Sequence, residues 1–323
     1  MKRRIVIAGV TGFLGRYLAR YLMGGGDEVI GLVRREGTAP GGVREVLWDG
    51  VTLGGWGEAL DGADVLVNLA GRSVNCRYDA RHRAEIMESR TASTGILGDA
   101  ISLAKKPPRV WINSSTLTIY RHAEDGPQDE ASGELGVGFS VEVAKAWEKA
   151  FFGARVPGVV RKVALRTSMV LANEPGTVFA VLWRLVKWGL GGRMGDGRQR
   201  VSWVHIDDFC RAVEWVMERD EFEGVANLVA PEVPRNGEFM AALRGRAGVP
   251  VGLPAARWML EGGAWALRTE TELVTKSRWG VARRLSEHGF RFRWPRLEGA
   301  LADLAPGRGR VMVGVAKKLT SPE

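Results

Sequence analysis

The chain opens with a short apolar run, Ile5-Val6-Ile7-Ala8, that breaks into Gly9-Val10-Thr11-Gly12-Phe13-Leu14-Gly15 and continues with Tyr17, Leu18, Tyr21 and Leu22 at helical spacing. A continuous rather than alternating apolar run marks a strand buried on both faces of a parallel sheet. The three glycines then have separate physical uses. Gly9 permits a tight turn, Gly12 lets the backbone approach a pyrophosphate, and Gly15 lets the helix pack close on the strand. The first helical turn offers unpaired N–H groups and the positive end of its dipole, which suits phosphate. A second apolar run, Val29 to Val33, follows at the interval of a βαβ unit. These residues predict an α/β fold of the Rossmann type, a doubly wound parallel sheet, with a dinucleotide held by Gly9, Thr11, Gly12, Phe13, Leu14 and Gly15.

The end of the second strand selects the dinucleotide. An acidic residue about 20 residues past the glycines holds the ribose hydroxyls in NAD sites. This chain has Arg34-Arg35 there, and Asp27 and Glu28 come before the strand has crossed the sheet. A guanidinium meets a 2′-phosphate with charge-assisted, bidentate bonds, so NADP is the expected cofactor. The competing reading is a pair of solvated arginines at a strand end.

With 323 residues, 45% hydrophobic and 26% charged, the chain is long enough for one large α/β domain or a main domain with a smaller lobe. Its two cysteines, Cys76 and Cys210, lie outside any metal spacing, so free thiols in a reducing compartment and no metal are expected. The first strand starts close to Met1 and no long uncharged apolar run exists, which gives the expectation of a cytoplasmic protein without a membrane partner. The net charge of +9 raises nucleic-acid binding, but Lys and Arg are scattered and no binding motif accompanies them. A small-molecule substrate, and a monomer or homodimer, are expected instead.

Strand and helix signals alternate through the first half, as a parallel sheet with crossover helices requires. Strands are expected at Glu45 to Trp48, Asp64 to Leu69, Arg109 to Ile112 and Val159 to Arg166. Helices are expected around Trp56 to Leu60, from Asp79 to Ala104 before Pro107-Pro108, and at Val141 to Phe152. Beyond Ser168 come a helix at Val178 to Trp188, a strand at Val201 to His205, a helix at Ile206 to Met217 and a strand at Val225 to Val229. After Pro231 the pattern is mostly helical: Gly237 to Ala247, Ala255 to Leu267, Val281 to Glu287 and Leu297 to Leu304. The expected organisation is a Rossmann-type domain over 1–230 with substrate-lobe insertions after about 168, a small, mostly helical C-terminal lobe over 231–305, and a basic tail over 306–323.

Gly9-x-x-Gly12-x-x-Gly15, Asn68-Leu69-Ala70-Gly71 and Ser114-Ser115…Tyr120 together resemble the extended or atypical short-chain dehydrogenase/reductases. Ser89-Arg90, Trp147-Glu148, Leu165-Arg166-Thr167, the stretch Gly189 to Gln199, Ser202 to Asp208, and Asn227…Ala230-Pro231…Asn236-x-Glu238-Phe239 are similar, more narrowly, to the predicted nucleotide-sugar epimerase subgroup. That subgroup has an epimerase/dehydratase domain followed by a small C-terminal domain. The resemblance covers residues 1 to about 304. It implies an NADP-binding Rossmann-type fold and an oxidoreductase- or epimerase-like activity on a polar carbonyl or alcohol, with a nucleotide sugar as one candidate.

At the carboxyl end of the fourth strand, Leu69, Ala70 and Gly71 keep the backbone thin beside a nucleotide, and Arg90 joins them in the cofactor set the resemblance implies. Ser115 and Tyr120 are the catalytic candidates, Ser115 at the strand rim and Tyr120 after a short loop. Arg193 and Arg198, among the glycines of a loop suited to closing over an anion, and His205 are the substrate-binding candidates. One departure matters most. The superfamily uses Tyr-x-x-x-Lys, whose lysine lowers the phenol pKa for proton exchange. None of the four tyrosines has Lys four residues on, and Phe139 and Val143 fall where the pair belongs; Lys145 is rotated away from their helix face. The alternative reading is therefore a non-catalytic NADP-binding regulatory or redox-sensing protein.

Overall fold

The computed structural model describes residues 2–255 and 276–305. Within these residues nine strands follow in chain order: β1 (Arg4–Ala8), β2 (Glu28–Val33), β3 (Arg44–Leu47), β4 (Val65–Asn68), β5 (Val110–Thr116), β6 (Arg161–Thr167), β7 (Met169–Leu171), β8 (Trp203–His205) and β9 (Gly224–Leu228). Among the described residues six longer helices lie between and after them: α1 (Phe13–Gly24), α2 (Ala80–Leu103), α3 (Phe139–Gly153), α4 (Val178–Lys187), α5 (Ile206–Met217) and α6 (Asn236–Ala247). The main sheet has the order β3-β2-β1-β4-β5-β6-β9, and every pairing in it is parallel. Strand order reverses between β1 and β4, so a crevice opens at their carboxyl ends, where doubly wound sheets take ligands.

The continuous apolar runs are explained by cover on both faces. Ile5, Ile7, Val65, Val67, Val110 and Ile112 face Leu18 and Leu22 of α1 and Phe209 and Val213 of α5. Val6, Ala8, Leu66 and Trp111 face Leu97 and Ile101 of α2 and Phe151 of α3. Trp111 and Phe151 meet edge to face with centroids 4.7 Å apart. Truncating either ring at this depth costs roughly 3–5 kcal/mol. α2 begins where Asp79 accepts from His82 N at 2.7 Å and ends at Ala104, ahead of the two prolines.

A third core joins segments that are far apart in sequence. Leu171 of β7, Phe179 and Leu182 of α4, Trp203 of β8, Phe239 and Leu243 of α6, and Leu301 of the helix Leu297–Leu304 pack together. Residues after 168 and residues after 231 thus share one interior. The helix Arg283–Glu287 instead adds Leu285 to the core beneath β9, and the preceding segment pairs with the β5–α3 loop through Gln128 N to Trp279 O at 2.7 Å. The strand β7 was not expected from its sequence, since three residues carry no period and their partner β8 lies some way along the chain. The expected helix at Ala255 to Leu267 and the tail 306–323 lie outside the described residues, apart from Ala255 itself. Among the described residues no helix is long and apolar enough to cross a membrane.

Candidate functional site

The glycine loop has the geometry its spacing calls for. Gly9 sits at φ +81°, and a Cβ there would stand 2.6 Å from the Leu69 carbonyl oxygen. Gly12 N donates to Gly9 O at 3.0 Å and closes the turn. A Cβ on Gly15 would stand 2.7 Å from Val10 Cα, so α1 starts tight against the end of β1. Gly12 caps α1 without a side-chain bond, and the N–H groups of Phe13, Leu14 and Gly15 have no backbone acceptor among the described residues. No acidic side chain occupies that first turn. This leaves a cradle for an anion. Thr11 is exposed beside it, its carbonyl accepting from Arg16 at 2.7 Å, and Arg16 also pairs with Glu174.

Arg34 and Arg35 stand exposed immediately beyond β2, with no ion-pair partner among the described residues. The Leu69-Ala70-Gly71 turn is fixed from beneath by Asn68, a residue that the sequence reading placed in a motif without assigning it a role. Its buried amide donates to Asn113 Oδ1 at 2.7 Å and Thr94 Oγ1 at 3.1 Å, while its oxygen accepts from Ala70 N at 3.0 Å. A buried polar residue at the end of an apolar strand was the signal available. Arg90 closes over Gly71, where a Cβ would come within 3.2 Å of its Cζ, and it lies 5.1 Å from the centroid of the Trp147 ring. No carboxylate pairs with it among the described residues. Burial draws its guanidinium down to about 10, so it remains a cation at neutral pH.

At the β5–β6 end of the rim the structure revises the catalytic expectation. Ser115 is 3% exposed and donates to Glu148 Oε1 at 2.6 Å. Glu148 is clamped in turn by Arg166, through Nε at 2.8 Å and Nη2 at 2.7 Å. Arg166 Nη1 donates to the Tyr120 phenol at 2.8 Å, and that oxygen also lies 2.9 Å from Asp129 O and 3.0 Å from Asn227 Oδ1. Tyr120 is 2% exposed, and burial raises its pKa despite the nearby guanidinium. Its phenol therefore points into the protein and is saturated, rather than looping back over a nicotinamide. Strand alternation explains the miss for Ser115: its side chain turns towards α3, while Ser114 and Thr116 turn to the other face. Burial works against charge on Arg166, but its bonds to Glu148 outweigh that and hold the guanidinium firmly protonated.

Phe139 opens α3 and packs edge-on against Tyr78 at 5.0 Å, with the Arg83 guanidinium 4.8 Å from its ring centroid. Val143 is buried one turn on, and Lys145 donates to Gly136 O at 3.0 Å. The tyrosine–lysine pair is thus replaced by apolar packing.

The substrate-side candidates separate. His205, 1% exposed, does not reach the cleft. It caps α5 by accepting from Asp207 N at 3.1 Å through Nδ1, and its ring lies 4.9 Å from Trp294. The bond places the proton on Nε2, 3.4 Å from Asp303 Oδ2, and burial keeps the ring neutral by lowering its pKa. The loop 191–200 is not free to swing. Gly192 N and Gly195 N donate to Leu253 O and Ala255 O at 3.1 and 2.9 Å, and Met194 N donates to Asn236 Oδ1 at 2.8 Å. The side chains of Arg193, Asp196 and Arg198 extend into solvent. Arg198 joins Arg200, Arg235 and Glu124 around a cavity of about 310 Å³. Arg200 is held there by Val233 O at 3.0 Å and by the Trp279 ring, 4.3 Å away. Three guanidiniums against one carboxylate give this cavity a predominantly cationic lining. A larger hollow of about 580 Å³ lies between the carboxyl-terminal halves of α2 and α3, at the end of the sheet opposite the strand rim.

Comparison with known proteins gives these features a context. A model of the NAD dependent epimerase/dehydratase family matches residues 5–228, and a domain of unknown function (DUF1731) matches 256–304. The epimerase family protein SDR39U1 of Bos taurus is 31% identical over 306 residues, covering 93% of this chain and 99% of the relative. The crystal structure of human epimerase family protein SDR39U1 (isoform 2) with NADPH superposes with a TM-score of 0.81 at 29% identity, covering 94% of this chain and 99% of that one. A nucleoside-diphosphate sugar epimerase from Corynebacterium glutamicum superposes with a TM-score of 0.74 at 28% identity, covering 94% of this chain and 58% of that one.

Proposed function

The chain belongs to the NAD dependent epimerase/dehydratase family, and from that premise we propose that it binds NADP(H) along the sheet rim and takes a polar, anion-bearing substrate such as a nucleotide sugar. The observation that carries this reading is the glycine cradle at the start of α1, with three N–H groups free at the switch point of the sheet. Its free donors and the absence of an acidic side chain suit a pyrophosphate. Arg34 and Arg35 would take the 2′-phosphate, Leu69 to Gly71 would flank the adenosine side, and the desolvated Arg90 would add positive charge above that turn. The human relative crystallised with NADPH supports the same assignment.

When bound, the cofactor supplies or accepts a hydride. This chain's own part is to orient a carbonyl or alcohol beside it. The cavity of Arg198, Arg200 and Arg235 would anchor a phosphate or carboxylate of the substrate, with Arg193 outside its lining. Ser115 and Tyr120 contribute by holding the rim rigid through Glu148 and Arg166, and Ser114 is the β5 hydroxyl left for a ligand, that of Thr116 being bonded to Thr118. His205 supports the substrate side only through α5. Without a phenol–lysine pair, proton exchange with a simple carbonyl loses roughly 10²- to 10⁴-fold.

Phe139 and Val143 favour a second reading, in which the protein binds NADP(H) as a regulatory or redox-sensing component without turnover. Two free cysteines suit the reducing, cytoplasmic setting that both readings share. Titration with NADPH and NADH, followed by NADPH oxidation against carbonyls and nucleotide sugars, separates the two. Turnover with one of these substrates supports the enzyme; tight NADPH binding with none supports the sensor; no dinucleotide binding defeats both.

A further inference from the structure

In the loop that carries Arg34 and Arg35, Ala39 and Val43 pack against the core, whereas Arg34 to Thr38 do not. The chain leaves β2 at Val33, exposes Arg34 through Thr38, and must turn back to start β3 at Arg44. One carboxylate organises that return. Gly37 N and Ala39 N each donate to Glu45 at 2.6 Å, and Thr38 N donates at 2.9 Å. Thr38 Oγ1 also donates to Arg35 O at 2.6 Å, which ties the arginine's own backbone to the clamped segment. Gly37 sits at φ +71°, a conformation in which successive N–H groups converge into a nest for an anion. Here the anion is supplied by the chain itself.

Glu45 belongs to β3, opposite Gly31 in the register with β2, so the clamp is anchored in the sheet while the loop it holds is not. The N–H groups of Ala39, Gly37 and Thr38 favour its ionised form and hold its carboxyl below the usual range. The nest is therefore filled at neutral pH. Two consequences follow. The turn is ordered before a ligand arrives, and the backbone donors of 37–39 are already used, so they are not the groups that meet a phosphate at this edge.

We propose that Glu45 is a positioning residue for cofactor choice: by seating on the N–H groups of 37–39 it holds Arg34 and Arg35 in place for a phosphate on the adenosine ribose. This rests on the NADP reading above. A loop left loose would have to be ordered on binding, and that cost would fall on ligands that use the arginines. NADH and 5′-AMP, which lack the 2′-phosphate, would not sense it.

The test uses the full chain as wild type, Glu45→Gln and Arg35→Ala, with calorimetric titration of NADPH, NADH, 2′,5′-ADP and 5′-AMP. The glutamine keeps the size of the side chain but offers one acceptor oxygen in place of two. Glu45→Gln is expected to weaken NADPH and 2′,5′-ADP by about 5- to 20-fold, with NADH and 5′-AMP within about twofold of wild type. Backbone hydrogen exchange at residues 37–39 is expected to speed up in the same variant. Equal losses for all four ligands, or unchanged NADPH binding despite faster exchange, would overturn the proposal. Tighter NADPH binding would do so too, since Glu45 would then act only as a repelling charge. If Arg35→Ala loses NADPH selectively and Glu45→Gln does not, the NADP reading stands and this inference fails. If the wild type itself shows no preference for NADPH, the underlying reading fails, and the proposal with it.

Discussion

Glu148→Gln is the most informative single perturbation of the rim. Glu148 and Arg166 retain only 11% and 10% of their side-chain exposure, and Glu148 accepts three bonds: two from the guanidinium and one from Ser115. A glutamine presents one acceptor and one donor, so an N–H is turned towards a guanidinium N–H and the buried charge loses its counter-ion. Breaking such a pair on one side costs roughly 3–5 kcal/mol. With an unfolding entropy of about 2.1 cal/mol/K per residue over 323 residues, that corresponds to a fall in Tm of about 4–7 °C. A thermal scan of Glu148→Gln, Arg166→Met and the double variant Glu148→Leu/Arg166→Met measures it. The double variant is expected to lose less than the two singles together, because it leaves neither charge buried alone. A Tm for Glu148→Gln within about 1 °C of wild type would refute the assignment of this network as the brace of the rim.

Gly9→Ala forces a Cβ to 2.6 Å from the Leu69 oxygen at positive φ, and is expected to lower Tm and abolish dinucleotide binding together, as read by a scan with and without NADPH. Wild-type NADPH affinity is expected to exceed that for NADH by about 10- to 100-fold, and Arg34→Ala and Arg35→Ala to narrow the gap, by fluorescence titration. Hydrogen exchange in the loop 191–200 is expected to change little when a nucleoside diphosphate binds, because its backbone is already tied to 253–255 and Asn236, whereas Arg198→Ala is expected to weaken that binding. Burial raises the Cys210 thiol well above its ordinary value, so the reactive thiolate is scarce at pH 8 and grows only at higher pH. A disulfide reagent is expected to label the part-exposed Cys76 in the native protein and both thiols after unfolding.

Local order was written in the chain. The continuous apolar runs, the glycines at 9, 12 and 15, Asp79 before α2 and Pro107-Pro108 after it set the sheet, its crossovers and the dinucleotide cradle, since each acts through neighbours a few residues away. The place of Arg34 and Arg35 just beyond β2 was legible for the same reason: a strand end is a local event. Tertiary structure decided which side of the rim each polar residue serves. Ser115 and Tyr120 looked reactive in sequence, but Glu148 from α3, Arg166 from β6 and Asn227 from β9 converge on them and use up their hydroxyls. His205 looked like a strand-end ligand, but Trp294 lies against its ring and Asp207 N takes its free nitrogen. The loop 191–200 looked mobile from its glycines, yet hydrogen bonds from residues more than forty positions away pin it. Propensity and spacing report the backbone's own short-range preferences. The partner of a buried hydroxyl, carboxylate or imidazole is set by which distant segments the fold brings within about 3 Å of it, and no local pattern encodes that.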